Sequence, residues 1–260
     1  MRVAIIGGGI GGMALALSLH AAGLADVTVY ESAPAIRELG VGINLLPHSV
    51  RELTELGLLD ALLAAGIPTG EYVYCTKRGQ EIWHEPLGVA AGYRWPQVSI
   101  QRGEMWRGVT PGAPFLAGRT MLNAGASRQR VVVYPISRVA EERGAALINW
   151  VATQRTAVGG PLPPQDWTFA ADRTAVLDAF APFAFAFLDV PALIREAAAV
   201  YQYPMVDRDP LPTWDFGRVT LLGDAAHPMY PVGATRPRRR SSTRGSWRGR
   251  WWCSPRSRRR

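Results

Sequence analysis

The chain has 260 residues, of which 48% are hydrophobic, so it holds enough apolar side chain for a sizeable core and its starting class is a soluble globular protein. Its formal charge of +8 is unevenly placed: residues from Thr235 onward include 11 arginines and no acidic group, which leaves residues 1–234 with 18 basic against 21 acidic groups. Cys75 and Cys253 give neither a disulfide framework nor a metal spacing, and no stretch approaches ~20 uninterrupted apolar residues. A reducing cytoplasm, no metal and no membrane are therefore expected.

Residues 2–6, "RVAII", predict a short strand, residues 13–22 a helix closed by Gly23, and residues 26–30 a second strand, together a βαβ unit. Five glycines within residues 7–12 break up the apolar N-terminus, which argues against a secretory signal. Leucines 53, 56, 59, 62 and 63 predict a helix over 48–65, and residues 71–84 a hairpin turning at "KRGQ". Between 85 and 130 the pattern is less clear. Beyond it, 130–137 and 145–153 read as paired strands, 170–183 and 190–201 as helices, and 217–227 as a buried strand entering a loop. The order predicts an α/β fold with a nucleotide-binding layer at both ends and a different layer between.

Gly7, Gly9 and Gly12 spell GxGxxG between a strand and a helix, with Ile10 and Gly11 completing the loop and Glu31 closing the next strand. Gly7 permits the tight turn, Gly9 lets backbone amides approach a pyrophosphate, and Gly12 lets helix and strand pack closely. The helix N-terminus favours phosphate there, and the Glu31 carboxylate can accept hydrogen bonds from ribose hydroxyls. This pattern indicates a dinucleotide without separating FAD from NAD.

Five further stretches occur in a recognisable order: "AIRELGVGINLLPHSVRELTELGL" (35–58), "SIQRGE" (99–104), "MWRGVT" (105–110), "LINWVA" (147–152) and "YPMVDRDPLPTWDFGRVTLLGDAAHPMYPVG" (203–233). Together they resemble the class A flavoprotein monooxygenases, in particular the salicylate-hydroxylase-like and phenazine hydroxylases. The resemblance implies a Rossmann-like FAD-binding domain, here incomplete, with a central mixed-sheet substrate domain. Gly7, Gly9, Ile10, Gly11, Gly12 and Glu31 would hold the ADP half of FAD, and Arg37, Gly40, Val41 and Gly42 would lie along the flavin. Arg102 would reach the phosphates or ribityl chain, Gly223 and Asp224 match the Gly-Asp motif that meets the ribityl chain, and Pro231 and Gly233 match the loop beside the pyrimidine edge.

The implied reaction is hydroxylation of an aromatic small molecule with O2 and with NADH or NADPH as electron donor; no Ser/His/Asp order or HExxH motif points elsewhere. Aromatic candidates for the pocket are Trp106, Tyr134, Trp150 and Tyr203, with core packing the commoner role for each. His227 reads as a structural loop histidine, and no catalytic base is assigned.

Two features depart from the family pattern. Glu104 abuts Met105 where the family places a long segment with an Asp-Gly motif, and Asp-Gly occurs nowhere in this chain. After Ala234 the sequence becomes "TRPRRRSSTRGSWRGRWWCSPRSRRR"; re-read in the shifted frame with GC-rich codons, it can yield a helix beginning A-N-A-A-S-Q-A-I-L-D-A. The expected organisation is 1–104 and 206–234 as two parts of an FAD-binding domain, 105–205 as the substrate domain, and 235–260 as an out-of-frame tail. No specific nucleic acid is expected. The competing readings are a nucleotide-binding remnant without catalysis and a nucleic-acid-associating protein acting through its arginines and tryptophans.

Overall fold

Glycine placement shapes the first layer of the fold. In the computed structural model, which describes residues 1–33, 42–101, 106–126, 128–154, 169–202 and 211–226, β1 (Val3–Ile6) passes through the glycine loop into α1 (Ile10–Ala21). Gly23 then takes the left-handed conformation and the chain returns as β2 (Val27–Tyr30), parallel to β1 from Val3↔Val27 to Ile6↔Tyr30. The expected βαβ unit is present.

Next come β3 (Gly42–Leu45), α2 (Pro47–Glu55), α3 (Leu59–Ala65) and β4 (Ile67–Thr69). The single helix expected over 48–65 is two, because Gly57 adopts φ +75° and ends the first. Leu53, Leu59, Leu62 and Leu63 still share one apolar cluster with Val50 and Val98, since both helices pack on one small sheet.

The expected hairpin is formed by β5 (Glu71–Cys75) and β6 (Glu81–Pro86), followed by β7 (Gln97–Gln101), which lies between β3 and β4. Then follow β8 (Trp106–Gly112), β9 (Thr120–Ala126), β10 (Gln129–Pro135), α4 (Arg138–Glu142) and β11 (Ala146–Gln154). The β5–β6 hairpin joins these strands in a six-stranded sheet of order β6-β5-β9-β10-β11-β8, antiparallel except for the β5–β9 pair. A mixed central sheet was expected; its recruitment of residues 71–86 was not.

One face of the sheet is covered by α5 (Arg173–Phe180) and, beyond the short strands β12 (Ala184–Phe185) and β13 (Leu188–Asp189), by α6 (Val190–Glu196). Asp172 and Asp189 cap these helices through side-chain oxygens that accept backbone N–H groups. Both helices are shorter than the sequence suggests. Leu122, Val131, Val133, Ile148 and Trp150 meet Val176, Phe180, Phe183 and Ile194 in the main core. The opposite face carries a smaller cluster of Tyr72, Met121, Tyr134 and Ile136.

The buried strand expected over 217–227 is corrected. Among the described residues of this segment only Val219–Thr220 forms a strand, β15, paired with β14 (Asp215–Phe216), and both residues of β15 are exposed. An apolar strand is buried when other strands flank it and helices cover it. Among the described residues β1 pairs with β2 alone and Ile6 is 82% exposed, so this segment does not join the β1–β2 sheet and has no flanking strands there to bury it.

This packing separates two substitutions. Phe180→Ala, at a fully buried ring, should cost about 3–5 kcal/mol, whereas Val219→Ala should stay within about 0.5 kcal/mol. Denaturant melts of the two variants test this; a Val219→Ala loss as large as that of Phe180→Ala would restore the buried-strand reading.

Candidate cofactor site

The glycine loop is built by close backbone approach. Gly7 adopts φ +106°, and a Cβ at Gly12 would lie 2.0 Å from the Gly7 carbonyl oxygen, so only glycine lets α1 start this close to β1. Gly9 is the N-cap of α1, and Ile10, its first residue, is exposed. A Cβ at Gly11 would lie 2.7 Å from Leu222 Cδ1 and 3.9 Å from the Gly223 Cα. The loop at the start of the chain and the Gly-Asp loop near the end of the described residues are therefore in contact. Gly223 opens a single turn, Gly223–Ala225, at φ +58°, and Asp224 is exposed on it.

Glu31 folds over the glycine loop. One carboxylate oxygen accepts the Gly8 N–H at 2.7 Å and the other accepts the Ala33 N–H at 2.8 Å and the Ser32 hydroxyl at 3.2 Å. These bonds, that of Ala33 foremost, hold its carboxyl below the usual carboxylate value. A carboxylate seated here is next to the loop amides, where a ribose beside a bound pyrophosphate would meet it.

Gly42 joins the three-stranded β3-β7-β4 sheet to the central sheet. Its N–H donates to Asn149 Oδ1 at 2.7 Å and its carbonyl accepts the Tyr134 hydroxyl at 3.0 Å. A Cβ at Gly42 would lie 2.8 Å from both Ile136 Cγ2 and Tyr134 Cε2. Asn149 is fully buried, and its Nδ2 has no hydrogen-bond partner.

The sheet face around this junction is partly polar. Tyr134 pairs across strands with Asn149, which pairs with Val109. On β5 and β9, Asn123 Nδ2 donates to the Tyr72 hydroxyl at 3.1 Å, and the Tyr74 hydroxyl donates to Glu85 at 3.2 Å. The Tyr72 and Tyr74 rings are 4.3 Å apart between centroids, and burial pushes the Tyr74 phenol well above its ordinary value.

Of the aromatic candidates, Tyr134 is on this face. Trp150 is not: it is fully buried against the helices on the other face, its indole N–H donating to Thr110 Oγ1 at 3.3 Å, because side chains on β11 alternate and Asn149 takes the direction of Gly42 on β3. The Trp106 side chain, and Arg37, Gly40, Val41, Arg102, Tyr203, His227, Pro231 and Gly233, lie outside the described residues. Sequence reasoning missed Tyr72, Tyr74, Asn123 and Asn149. Their signal was the alternating tyrosines of "EYVYC" and the lone asparagines within apolar strands.

A family profile described as an FAD binding domain matches residues 1–143, more than half of the chain. The chain belongs to the FAD-dependent aromatic hydroxylases. Phenazine 1,6-dicarboxylic acid hydroxylase PhzS of Lysobacter antibioticus is 36% identical over 315 residues, covering 89% of this chain and 77% of that protein. Salicylate hydroxylase of Pseudomonas putida is 26% identical over 323 residues, covering 89% and 72%. The structure of Klebsiella pneumoniae HpxO complexed with FAD and uric acid superposes with a TM-score of 0.67 at 19% identity, over 89% of this chain and 74% of that one, and is evidence for the fold.

This hydroxylase is shorter inside its matched region than its relatives. Since 89% of 260 residues is about 231, about 84 of the 315 positions aligned with the Lysobacter protein have no residue here. No helix among the described residues is long and apolar enough to cross a membrane.

Because its hydrogen bonds lower the Glu31 pKa, its seat on the glycine loop is complete above the ordinary carboxylate value of 4.5 and is lost as pH falls through the lowered one. The Gly8 amide NMR shift should titrate with a midpoint below 4.5, and Glu31→Gln should flatten it. A midpoint at or above the ordinary value would contradict the observed hydrogen bonds.

Proposed function

We propose that the chain binds FAD along the seam formed by the glycine loop, the Gly-Asp loop and β3, and uses it with NADH or NADPH and O2 to hydroxylate an aromatic acid of salicylate or phenazine type. The observation that carries this reading is the meeting of two remote segments at Gly11, where the Leu222 side chain packs on the glycine and the Gly223 backbone lies beside it. The glycine loop itself, without Cβ atoms at a helix N-terminus, suits a pyrophosphate. The substrate class follows the names of the two relatives described above.

In this reading Gly7, Gly9, Ile10, Gly11 and Gly12 present backbone N–H groups and the N-terminus of α1 to the phosphates. Glu31 exchanges its Gly8 N–H for ribose hydroxyls. Asp224 accepts from the ribityl chain and Arg102 balances phosphate charge, while Arg37, Gly40, Val41, Gly42, Pro231 and Gly233 border the ring. When bound, FAD supplies the redox and oxygen-transfer chemistry. The chain's own contribution is positioning: Tyr72, Tyr74 and Asn123 offer hydroxyl and amide groups on the sheet face, and Met121, Val132 and Val109 exclude water.

Residues 1–104 and 206–234 make up the flavin half, with 71–86 lent to the substrate sheet of residues 105–205; the compartment is the cytoplasm. The flavin half is incomplete. The gap relative to the Lysobacter relative and the exposed Ile6 and Val219 support this, and they favour a chain defective or inactive in turnover. Residues 235–260 are an out-of-frame extension with no selected nucleic-acid role.

The test is product analysis of the 260-residue chain with FAD, NADH or NADPH, and either salicylate or phenazine-1,6-dicarboxylate. The expected product is heavier by one oxygen atom and requires FAD. Bound flavin with no such product from either donor would leave a nucleotide-binding remnant without catalysis. Restoring the reading frame after Ala234 should still leave hydroxylation well short of that of the full-length relatives, because the internal gap remains; full activity would contradict that account.

A further inference from the structure

Asn149 is more constrained than a core asparagine needs to be. It lies on β11 between Ile148 and Trp150, both of which face the helix-covered core, and it alone of the three turns toward β3. Its partner there, the Gly42 N–H, is 107 residues away in sequence and can only donate. The amide is thereby oriented: Oδ1 must face Gly42, and Nδ2 with its two hydrogens must face away from it.

That second end is the anomaly. Asn149 has 0% of its surface exposed, and Nδ2 makes no hydrogen bond. Buried donors are costly to leave unsatisfied, so native structures rarely do so without a reason such as a missing water, ion or ligand. The cross-strand neighbours do not provide the acceptor. Val109 on β8 is apolar, and the Tyr134 hydroxyl on β10, which donates to the Gly42 carbonyl, makes no bond to Nδ2. Met121 and Ile136, which share a cluster with Tyr134 on this face, are apolar.

We infer that Asn149 is a positioning residue with two tasks: Oδ1 fastens the start of β3 to the substrate sheet through Gly42, and Nδ2, directed away from Gly42, donates to an acceptor atom on the edge of a planar heteroaromatic ligand. This rests on the proposed use of the seam as the flavin and aromatic-substrate site. The acceptor is an oxygen or ring nitrogen of the flavin, or a carboxylate or phenol oxygen of the aromatic substrate. One side chain then registers the flavin-side strand and the ligand against the same sheet position. A valine or leucine at 149 would pack equally well on Val109 and do neither.

Asn149→Asp separates the tasks, because it keeps an oxygen for the Gly42 N–H and replaces the donor with a second acceptor. Two titrations of the full chain are read: FAD into apoprotein by flavin fluorescence, and salicylate into FAD-loaded protein by the displacement of the long-wavelength flavin absorption band. Thermal melting without ligand checks folding. If the donor meets the flavin, the FAD dissociation constant should rise about 10-fold or more; if it meets the substrate, FAD binding should hold while salicylate binding weakens by a similar factor. Asn149→Ala, neutral and smaller, removes both the donor and the acceptor of the Gly42 N–H, so it should weaken ligand binding at least as much, without separating the two tasks, and serves if the aspartate variant does not fold.

Wild-type-like binding of both probes by a folded Asn149→Asp or Asn149→Ala variant overturns the inference and leaves the flavin reading standing. A wild-type chain that binds neither FAD nor salicylate overturns both.

Discussion

Two hydrogen bonds at Gly42, one to Asn149 Oδ1 and one from the Tyr134 hydroxyl, hold the three-stranded β3-β7-β4 sheet against the central sheet. They form because residue 42 has no side chain: any Cβ would press into Ile136 and Tyr134. The placement of β3 follows from this contact, and through β7 that of β4, α2 and α3 as well. The seam exists because backbone polar groups, rather than apolar side chains, meet the sheet at this point.

The two faces of the central sheet are stabilised differently. On the helix side, Phe180, Phe183, Ile194 and Trp150 are almost wholly removed from water, and the polar groups among them are paired, as in the chain of hydrogen bonds from Trp150 to Thr110 to the Leu193 carbonyl. At roughly 25 cal/mol per Å² of apolar surface removed from water, this face supplies most of the stabilisation. The βαβ unit has less to work with: Ile6, Met13, Leu17 and Tyr30 are all substantially exposed. Local opening there should cost less free energy than opening of the sheet, so the glycine loop belongs to the less stable part of the molecule. A bound dinucleotide that bridges the glycine and Gly-Asp loops would add stability where it is lacking.

Features governed by short-range chemistry were legible in the sequence. Gly7, Gly9 and Gly12 announced the βαβ turn, the "KRGQ" turn announced the β5–β6 hairpin, and the alternation in "RVVVYPIS" and "ALINWVAT" announced the β10–β11 pair. Gly57 carried a readable sign of the break between α2 and α3, which the leucine spacing outweighed. Features governed by remote partners were not legible. The parallel β5–β9 pairing, the polar contacts of Asn149 with Gly42 and of Asn123 with Tyr72, and the exposure of Val219 depend on segments far away in the chain or on strands with no counterpart in it. "GRVTLLGDAAH" has the composition of a buried strand, but burial is a property of neighbours.

The central claim is that the glycine loop and the Gly-Asp loop, brought together at Gly11 and Leu222, assemble a flavin site in a chain that is shorter inside its matched region than the Lysobacter relative. The most direct measurement is the visible absorbance spectrum of the purified chain after incubation with FAD and desalting. Flavin bands retained with the protein are the predicted result. A colourless protein would contradict the claim and leave the chain with the fold of a flavoenzyme and no flavin.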